Sequence, residues 1–469
     1  MTNWAGKRVV ILGAARQGIA LTRYLLGQGA QVVLSDAKSA PALDLAALPA
    51  VPALSLTLGG HPLTLLEGCD LLCLSGGVPI DLPIVVEARR AGVPLSNDAE
   101  LFFERCPAPI IGITGSAGKT TTTTLLGEML RAHESGSDGT ARPVWVGGNI
   151  GNPLIEHVDA IGRRDHVVME LSSFQLDLMT RSPHFACITN ITPNHLDRHG
   201  TMAAYAAAKK RILDFQTSED LQVLCADDPV SAGLNTVAQT AWFSLRAEPQ
   251  GDGAWLDEDG FLRLRIRKSG IADTICHRRE LLLMGDHNIL NVLAAAALAA
   301  SAGAGLTAIR GVARSFKGVA HRLQLVREWN GVRYYDDSIA TAPERVLADL
   351  RCFTAPVVLL CGGRDKKLPW DEAAAEMARR CDHIALFGEM AGMLQDKLLA
   401  AGIDPNRLSA HVSLPEAVRR AVEVARPGSI VLLSPGGTSY DAYKDFAERG
   451  DQYIELINEL HEGTDRRML

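Results

Sequence analysis

The stretch PIIGITGSAGKTTTTTLL at residues 109–126 limits the possible folds more strictly than any other part of the chain. Apolar residues 110–113 predict a buried strand, glycine-rich residues 115–118 predict a tight turn, and the following run predicts a helix. Threonine is a poor helix former, so the run Thr120–Thr124 at a helix start indicates a role other than helix propensity. A strand, a glycine turn and a helix in this order predict an α/β fold.

The same alternation of apolar runs and helical patterns continues along the chain. KRVVILGAARQGIALTRYLLGQGAQVVLSD is a predicted strand, glycine turn, helix and strand, and REWNGVRYY is a predicted β-hairpin with an Asn-Gly turn. Turn signals over residues 241–270 predict an inserted antiparallel segment. We therefore predict three α/β domains: a Rossmann-like N-terminal domain at 1–108, a P-loop-type central domain at 109–320 and a Rossmann-like C-terminal domain at 321–469.

Composition excludes several classes of protein. At 469 residues, with 47% hydrophobic and 22% charged residues, the chain has the size and balance of a multidomain globular enzyme. The net charge of −7 argues against a nucleic-acid partner. The nine cysteines show no C-x-x-C spacing, which favours free thiols in a reducing cytosol. We expect no signal peptide, no membrane insertion, a cytoplasmic location and a monomer.

The turn at residues 115–118 has the chemistry of a phosphate-binding loop. Glycines let backbone N–H groups approach phosphate oxygens, and the following helix N-terminus adds positive potential. Lys119 can bridge the outer phosphates, and the Thr120 hydroxyl can ligate magnesium. The strict pattern G-x-x-x-x-G-K-[ST] is not met because Ile113 occupies its first glycine position. A turn that caps a structural helix is therefore the alternative. The predicted ATP residues of this loop are Gly115, Ser116, Ala117, Gly118, Lys119, Thr120 and Thr121.

Ten motifs together resemble the muramyl ligases, a family that builds the peptide stem of bacterial cell-wall precursors. They are GITGSAGKTTT, VGGNIGNP, MELSSFQLD, NITPNHLDRH, YAAAKKRI, GDHNILNVLAA, HRLQ, DDS, GGRDKK and SPGGTSYDAYKDFAERG. VGGNIG, ELSSFQL and KDFAERG are most similar to the family branch that joins glutamate to UDP-N-acetylmuramoyl-L-alanine. The resemblance covers nearly the whole chain, implies an ATP-dependent amide ligase of peptidoglycan synthesis and makes the central domain the ATPase.

The resemblance implies two Mg²⁺ ions. Glu170 ends the apolar run HVVME, where a carboxylate can meet magnesium on the β- and γ-phosphates, with helix capping as the alternative. Composition does not choose among His184, His195 and His199, but the resemblance selects His195 as a ligand of the second ion. The sequence around Lys209 is typical of a solvent-exposed helix face. By the resemblance, however, Lys209 matches a lysine that is carbamylated in the family and becomes a carboxylate-like ligand. The implied metal ligands are Thr120, Glu170, His195 and carbamylated Lys209, and the implied catalytic residues are Lys119, Glu170, His195 and Lys209.

Further nucleotide contacts come from DHNILN and from the C-terminal domain. Asn288 and Asn291 are spaced i, i+3, so they share a helix face and can reach one base edge. Helix capping is the alternative for Asn288. The resemblance adds Arg322 and Asp337 as contacts of the bound ATP.

The N-terminal domain leaves two interpretations open. GAARQG departs from G-x-G-x-x-G, and Asp36 ends the second predicted strand, where nicotinamide enzymes place a ribose-binding acid. A nicotinamide-dependent oxidoreductase is therefore the rival that the residues themselves suggest. The resemblance implies instead a UDP-substrate domain, with Asp36 and Lys38 at uracil, residues 15–16 and 75–77 at the phosphates, and central-domain residues at the muramoyl-alanine end. The implied UDP-substrate residues are Ala15, Arg16, Asp36, Lys38, Ser75, Gly77, Asn149, Ser172 and Gln175.

The implied glutamate pocket departs from the family pattern. The family usually has DSKATN, whereas this chain has DSIATA at 337–342, so Ile339 replaces a lysine and Ala342 replaces an asparagine. SPGGTSYDAY also differs from the common SPACASxDxF. These changes leave a relative that adds L-glutamate as the alternative to D-glutamate. The implied glutamate residues are Thr341, Lys366, Ser439 and Phe446.

The implied mechanism follows from charge. The L-alanine carboxylate attacks the γ-phosphate to give an acyl phosphate and ADP, and the glutamate amine then displaces phosphate. Transfer between anions depends on positioning and charge neutralisation, which lysine, arginine and two metal ions supply. A nucleotide-binding module without turnover is the non-enzymatic alternative.

Overall fold

Short runs of Val, Ile and Leu form the strands of three β-sheets, and helices lie between many consecutive strands. The structure, a computed structural model, describes residues 2–40, 43, 45–136, 141–151, 153–234, 236–266, 272–283, 285–366 and 368–460. The chain divides into two units: residues 1–316 contain two of the sheets, and residues 317–469 contain the third. The α/β class predicted from the sequence is confirmed.

The N-terminal sheet is parallel throughout. Its strands are β1 (Arg8–Leu12), β2 (Gln31–Asp36), β3 (Leu54–Leu58), β4 (Leu71–Leu74) and β5 (Leu95–Ser96), in the order β3-β2-β1-β4-β5. Its helices are α1 (Arg16–Gly27), α2 (Pro83–Arg90) and α3 (Asp98–Arg105). The central strand β1 is buried on both faces, as its unbroken apolar run predicts. This strand order, with a glycine turn after β1, is the Rossmann-like arrangement predicted from the sequence.

The central sheet has nine described strands and also belongs to residues 1–316. They are β6 (Ile110–Thr114), β7 (Val144–Gly148), β8 (His166–Glu170), β9 (Phe185–Ile188), β10 (Leu221–Cys225), β11 (Gln239–Ser244), β12 (Gly253–Leu256), β13 (Phe261–Arg265) and β14 (Asp273–His277). The helices of this part are α4 (Lys119–Ser135), α5 (Ser173–Leu176), α6 (Leu196–His199), α7 (Met202–Lys210), α8 (Pro229–Ala232), α9 (Asp286–Ser301) and α10 (Leu306–Ser315).

The strand order of the central sheet places the phosphate loop. The order is β14-β13-β12-β11-β10-β9-β6-β8-β7, so β6 lies between β8 and β9. The chain leaves β6 toward one side of the sheet and later returns to pair β9 on the other side. Ligands of open α/β sheets bind at the carboxyl end of the strands where the order reverses in this way. The loop that follows β6 lies at this reversal, and α4 begins directly after it.

The antiparallel segment predicted at 241–270 is only partly as expected. β12, β13 and β14 form an antiparallel meander. They do not form a separate piece, because β11 pairs in parallel with both β10 and β12 and joins the meander to the central sheet. Residues 267–270 of the predicted segment lie outside the described residues.

Small side chains let α9 pack closely against α4. Ala294 to Ala297 are all fully buried, and α9 contacts α4 along its length. None of the helices within the described ranges is both long and apolar enough to cross a membrane. The nine cysteines are free thiols.

The unit of residues 317–469 has a six-stranded sheet and five described helices. The strands are β15 (Gln324–Trp329), β16 (Val332–Asp336), β17 (Val357–Gly362), β18 (Cys381–Phe387), β19 (Leu408–His411) and β20 (Ile430–Gly436), in the order β15-β16-β20-β17-β18-β19. The helices are α11 (Pro343–Arg351), α12 (Asp371–Arg380), α13 (Ala391–Ala400), α14 (Leu414–Val424) and α15 (Phe446–Asn458). Short 3₁₀ helices of the two units are Leu63–Leu66, Leu154–Ala160, Arg278–Glu280 and Pro405–Arg407.

The predicted hairpin of this unit is confirmed. β15 and β16 pair antiparallel, and the two residues between them, Asn330 and Gly331, have φ values of +49° and +71°. Positive φ at both central residues is the geometry that the Asn-Gly turn supplies.

Candidate active site

The phosphate loop requires glycine at two positions. Gly115 has φ +148°, and a Cβ there would lie 1.8 Å from Thr189 Oγ1. Gly118 has φ +82°, and a Cβ there would lie 2.2 Å from Asn291 Oδ1. Both the backbone conformation and the close neighbours therefore exclude a side chain.

The loop is held by the segment that follows β9. Ser116 N donates to Asn190 O at 2.9 Å, Ala117 N donates to Asn190 Oδ1 at 3.0 Å, and Thr189 Oγ1 donates to Ala117 O at 2.6 Å. The N–H groups of Ser116 and Ala117 are thus engaged by protein in this structure. Positive potential at the loop comes from the N-terminus of α4, which starts at Lys119.

Two lysine amines meet at one carbonyl oxygen of the loop. Lys119 Nζ donates to Gly115 O at 2.9 Å, and Lys209 Nζ donates to the same oxygen at 2.7 Å. Lys209 is only 2% exposed. Burial, and to a smaller extent the charge of Lys119, lower the pKa of the Lys209 amine to about 7, although Glu170 acts in the opposite direction. The sequence favoured a solvated lysine at this position, and the structure shows a buried one with a neutral form accessible near pH 7.

Two predicted metal ligands are in contact. Glu170 ends β8 and is buried, and its Oε2 accepts a hydrogen bond from Thr120 Oγ1 at 2.8 Å. Its Oε1 accepts from Asn149 Nδ2 at 2.8 Å. Within the described ranges no group of three or more His, Cys, Asp or Glu could hold a metal ion. A Mg²⁺ ion would therefore need the hydroxyl and carboxylate of Thr120 and Glu170 together with oxygens of its substrate, which suits a hard cation.

A cavity of about 360 Å³ connects this pair of lysines to the N-terminal sheet's loops. Six of its lining residues are predicted site residues: Gly77, Lys119, Asn149, Ser172, His195 and Lys209. Gly76 lies within the predicted phosphate turn 75–77, and four others were missed from the sequence: Gln17, Ser173, Phe174 and Tyr205. Polar groups on one side and two aromatic rings on the other give this cavity the lining of a substrate site.

Aromatic rings form one wall of the cavity. The Lys209 amine lies 4.6 Å from the centre of the Tyr205 ring, and His195 makes edge contacts with Tyr205 and Phe174. The Tyr205 hydroxyl also contacts Ser116 Oγ at 3.1 Å. A signal for Tyr205 was available, because it precedes Lys209 by four residues on α7 and shares its face. His195 has φ +52° in the loop before α6.

The predicted uracil residue Asp36 braces the glycine turn of the N-terminal sheet. Its carboxylate accepts from Ala14 N at 2.7 Å and from Lys38 N at 2.8 Å. Across the turn, Ser75 Oγ donates to Gly13 O at 3.0 Å. The carboxylate that suggested a ribose ligand is therefore engaged with backbone amides in this structure.

The remaining UDP-substrate residues belong to loops of the N-terminal and central sheets. Ala15 is the residue before α1, and Arg16 Nη2 donates to Asn149 O at 3.2 Å, which joins the two sheets' loops. Ser172 lines the cavity, whereas Gln175 is fully buried beneath it with its amide bonded to Asp98. Direct substrate contact by Gln175 stays a prediction.

The two asparagines of α9 share one helix face, as their spacing predicted. Asn291 Nδ2 donates to Asn288 Oδ1 at 3.1 Å. Asn291 also accepts from Thr122 Oγ1 at 3.4 Å and lies against Gly118. Thr121, Thr122 and Thr123 are buried, so most of the threonine run packs within the protein.

The predicted glutamate residues lie in the unit of residues 317–469. Lys366 Nζ donates to Thr341 Oγ1 at 3.0 Å, and burial lowers the pKa of this lysine. Ala342, which replaces the family's asparagine, is the residue before α11, and Arg322 lies in the loop ahead of β15.

Arg449 joins the loops that carry this group and was missed from the sequence. It is fully buried, and its guanidinium donates to Ser338 O at 2.8 Å and to Gly437 O at 3.2 Å. Ser338 Oγ donates to the carbonyl of Phe446, the first residue of α15, at 2.7 Å. Ser439 is buried two residues beyond Gly437. The DSIATA segment, the SPGG segment and the start of α15 are therefore held together.

Asp337 is fully buried and forms a carboxyl pair with Asp349 of α11. Asp337 Oδ1 accepts from Leu323 N at 2.7 Å, and Asp349 Oδ2 accepts from Ser434 Oγ at 2.7 Å. Burial raises the pKa of both carboxyl groups, and the two groups interact electrostatically, so burial favours the protonated form of each. Burial and the neighbouring Asp337 carboxylate raise the pKa of Asp349 well above its usual range. The predicted nucleotide residue Asp337 is thus held by protein groups in this structure.

Asp349→Asn is expected to change the pH dependence of stability. A raised native pKa gives stability that is full below the unfolded pKa, at about 4, and is lost as the pH rises toward the native pKa. The free energy of unfolding of the wild type should fall relative to that of Asp349→Asn as the pH rises above about 4, by at least about 1 kcal/mol. Urea unfolding across this range measures it, with exposed Asp396→Asn as the control. Parallel curves for the wild type and Asp349→Asn would contradict the raised pKa of Asp349.

Three family models match the chain along most of its length. Residues 7–97 match the family model of the Mur ligase MurD-like N-terminal domain, residues 113–299 that of the Mur ligase middle domain, and residues 321–437 that of the Mur ligase glutamate ligase domain. A protein of Symbiobacterium thermophilum named UDP-N-acetylmuramoylalanine--D-glutamate ligase is 43% identical over 459 residues, 97% of this chain and 98% of the relative. A protein of the same name from Pelotomaculum thermopropionicum is 40% identical over 468 residues, 99% of this chain and 100% of the relative.

Solved structures share the architecture. The crystal structure of UDP-N-acetylmuramate-alanine ligase MurC from Thermotoga maritima superposes with a TM-score of 0.55 at 20% identity, covering 96% of this chain and 99% of that chain. At this identity the likeness concerns the fold, and it confirms the predicted three-domain α/β architecture.

Proposed function

The chain belongs to the Mur ligase family, and from this we propose that it is an ATP-dependent ligase that joins D-glutamate to UDP-N-acetylmuramoyl-L-alanine. The reaction forms an amide through an acyl phosphate. Relatives that carry this activity in their name match the chain from end to end. Each domain is proposed to bind one substrate: residues 1–108 bind the UDP-sugar, residues 109–320 bind ATP and residues 321–469 bind glutamate.

One observation carries the proposal. The phosphate-loop residue Lys119 and the buried Lys209 line the same cavity as Asn149 and Ser172, with Glu170 bonded to Asn149 at its edge. A γ-phosphate held at the loop would therefore lie beside a carboxylate that enters from the UDP-sugar side. This proximity of two anions is what acyl-phosphate formation requires.

The lysine and carboxylate of the loop region have separate tasks. The Lys119 ammonium neutralises charge on the γ-phosphoryl group and on the leaving diphosphate, because negative charge shifts toward the leaving oxygen during transfer. Thr120 and Glu170 hold Mg²⁺ by their oxygens. When bound, Mg²⁺ neutralises phosphate charge and orients the γ-phosphate.

Lys209 is proposed to act as a carbamate. Its amine has a pKa of about 7 because it is buried beside Lys119, so the neutral amine that reacts with carbon dioxide is available at physiological pH. The product carries a negative charge where an ammonium would repel a metal ion. Together with His195 it would then complete a second Mg²⁺ site.

The other assignments stay proposals on the same basis. Asn288 and Asn291 contact adenine, while Arg322 and Asp337 contact the nucleotide from the C-terminal unit. Thr341, Lys366, Ser439 and Phe446 bind glutamate, and the attacking amine must be deprotonated for its lone pair to reach the acyl phosphate. The UDP-substrate residues are those of the N-terminal loops with Asn149, Ser172 and Gln175. A cytoplasmic monomer remains our expectation.

A phosphate-release assay with each glutamate enantiomer tests the function. Release should require ATP, Mg²⁺, UDP-N-acetylmuramoyl-L-alanine and D-glutamate together, and L-glutamate should give a much slower rate. Omission of either the acceptor or the amino acid is the matched control. Faster release with L-glutamate would change the stereochemistry assigned here, and no release under any condition would favour a nucleotide-binding module. A change in nicotinamide absorbance would favour an oxidoreductase.

A further inference from the structure

A buried carboxylate of the N-terminal part contacts α5, the helix that begins directly after Ser172. Asp98, in the first turn of α3, is 4% exposed, and its two carboxylate oxygens accept from Gln175 Nε2 at 3.3 and 3.4 Å. The preceding residue, Asn97, donates from its side-chain amide to Gln175 O at 2.8 Å. The start of α3 is therefore fixed on α5 by two neighbouring side chains.

The orientation of the Gln175 amide is determined from both ends. Its Oε1 accepts from Ser172 N at 3.1 Å and from Ser172 Oγ at 3.0 Å. Its Nε2 faces the Asp98 carboxylate, which has no hydrogen to donate when ionised. An amide rotated by 180° would place two acceptors together at Asp98 and would remove the acceptor of the Ser172 N–H, so the network admits one orientation.

This orientation decides what Ser172 offers to a ligand. The hydroxyl hydrogen of Ser172 is used on Gln175 Oε1, and one oxygen lone pair accepts from Gln175 N at 3.2 Å. A serine oxygen has two lone pairs, so one remains. Because Ser172 lines the cavity, that lone pair is available there as a hydrogen-bond acceptor.

We propose that Asp98 is a positioning residue that acts through Gln175 to keep Ser172 an acceptor for an N–H or O–H group of the UDP-sugar substrate. The inference rests on the proposed function, because it concerns how the same cavity recognises that substrate. Asp98 does not touch the substrate, and Gln175 transmits its effect.

Isosteric exchanges separate this role from packing. Gln175→Glu keeps the shape of the side chain but places a second carboxylate against Asp98, and we expect the Kd for UDP-N-acetylmuramoyl-L-alanine to rise about tenfold. The double variant Asp98→Asn with Gln175→Glu restores a donor–acceptor pair, because the new amide at position 98 donates to the new carboxylate at position 175, which still accepts from Ser172. Its Kd should return to within about threefold of the wild type. Asp98→Asn by itself keeps an acceptor for Gln175 and should also stay within about threefold.

A second cycle tests whether Asp98 acts through Ser172. Asp98→Leu and Ser172→Ala should each weaken binding about tenfold, and the double variant should be no weaker than the poorer single one, since both remove the same contact. Kd values refer to folded protein only, so a partly unfolded variant does not imitate the effect. The Kd for ATP should stay unchanged in all of these variants.

Titration calorimetry of the full chain with UDP-N-acetylmuramoyl-L-alanine, and separately with ATP, decides between the outcomes. An increased Kd in Gln175→Glu with recovery in the double variant supports the proposal that Asp98 acts through Gln175 on Ser172. Unchanged binding in Gln175→Glu, or additive losses of affinity in the Asp98→Leu and Ser172→Ala pair, would overturn this role of Asp98 and leave the proposed function intact. No binding of the UDP-sugar by the wild type would overturn both.

Discussion

Lys119→Ala is expected to lower kcat more than tenfold. The variant removes a cation from the phosphate loop at the start of α4, where Lys119 lies within 2.9 Å of Gly115 O and lines the cavity. Negative charge shifts toward the leaving diphosphate in the transition state, so loss of this cation affects the chemical step more than ground-state binding. Steady-state phosphate release with D-glutamate at saturating ATP measures the effect.

The matched control is Arg131→Ala, which removes an exposed cation from the same helix α4 two turns or more from the loop. Its kcat should equal that of the wild type. A Lys119→Ala enzyme with near-normal kcat would show that this lysine is not the phosphate cation, and the proposed arrangement of the γ-phosphate would have to be replaced.

Lys209→Met is expected to abolish ligase activity and to stabilise the ligand-free protein. The native pKa of this lysine is lowered from 10.5 to about 7, so the unfolded chain holds a proton that the native protein releases between these values. The lysine therefore destabilises the native state at neutral and acid pH, and this penalty disappears as the pH rises toward the unfolded value. The gain in the free energy of unfolding should be on the order of 1–3 kcal/mol at pH 7 and should shrink toward pH 10.

Urea unfolding in carbonate-free buffer measures the stability, and phosphate release measures the activity. Lys210→Met is the control, because its neighbouring amine is paired with Asp214 at the surface and should change neither quantity strongly. Wild-type protein exposed to ¹³C-labelled carbon dioxide should give a carbamate signal that Lys209→Met lacks. An active Lys209→Met enzyme, or a variant that loses stability at pH 7, would contradict the assignment.

Much of the fold could be predicted because the relevant signals are local. The apolar run of β1, the Asn-Gly turn between β15 and β16 and the glycine turn before α4 each specify their own backbone conformation. The way β12 continues the central sheet could not be predicted, because β11 and β12 pair in parallel although only residues 245–252 connect them. Parallel neighbours usually need a crossover of a dozen or more residues.

The site residues that could be predicted are likewise those with a local sequence signal. Residues within one motif, such as Lys119 and Thr120, could be identified from spacing and from the family resemblance. The contact between Asp98 and Gln175 joins residues 77 positions apart. No motif in either segment indicates that the two side chains are in contact. The burial of Lys209 could likewise not be predicted from the sequence. An alanine-rich helix with two lysines is typical of a solvent-exposed helix, and the elements that pack against it are known only from the structure.

The close packing around the phosphate loop limits which substitutions could give resistance to an inhibitor bound there. An inhibitor that fills the loop meets backbone atoms at Gly115 and Gly118, and a methyl group at either position would collide with Thr189 or Asn291. Single-codon changes at these glycines would damage the enzyme before they displaced the drug. Resistance selected against such a compound should therefore arise from changes outside these two positions.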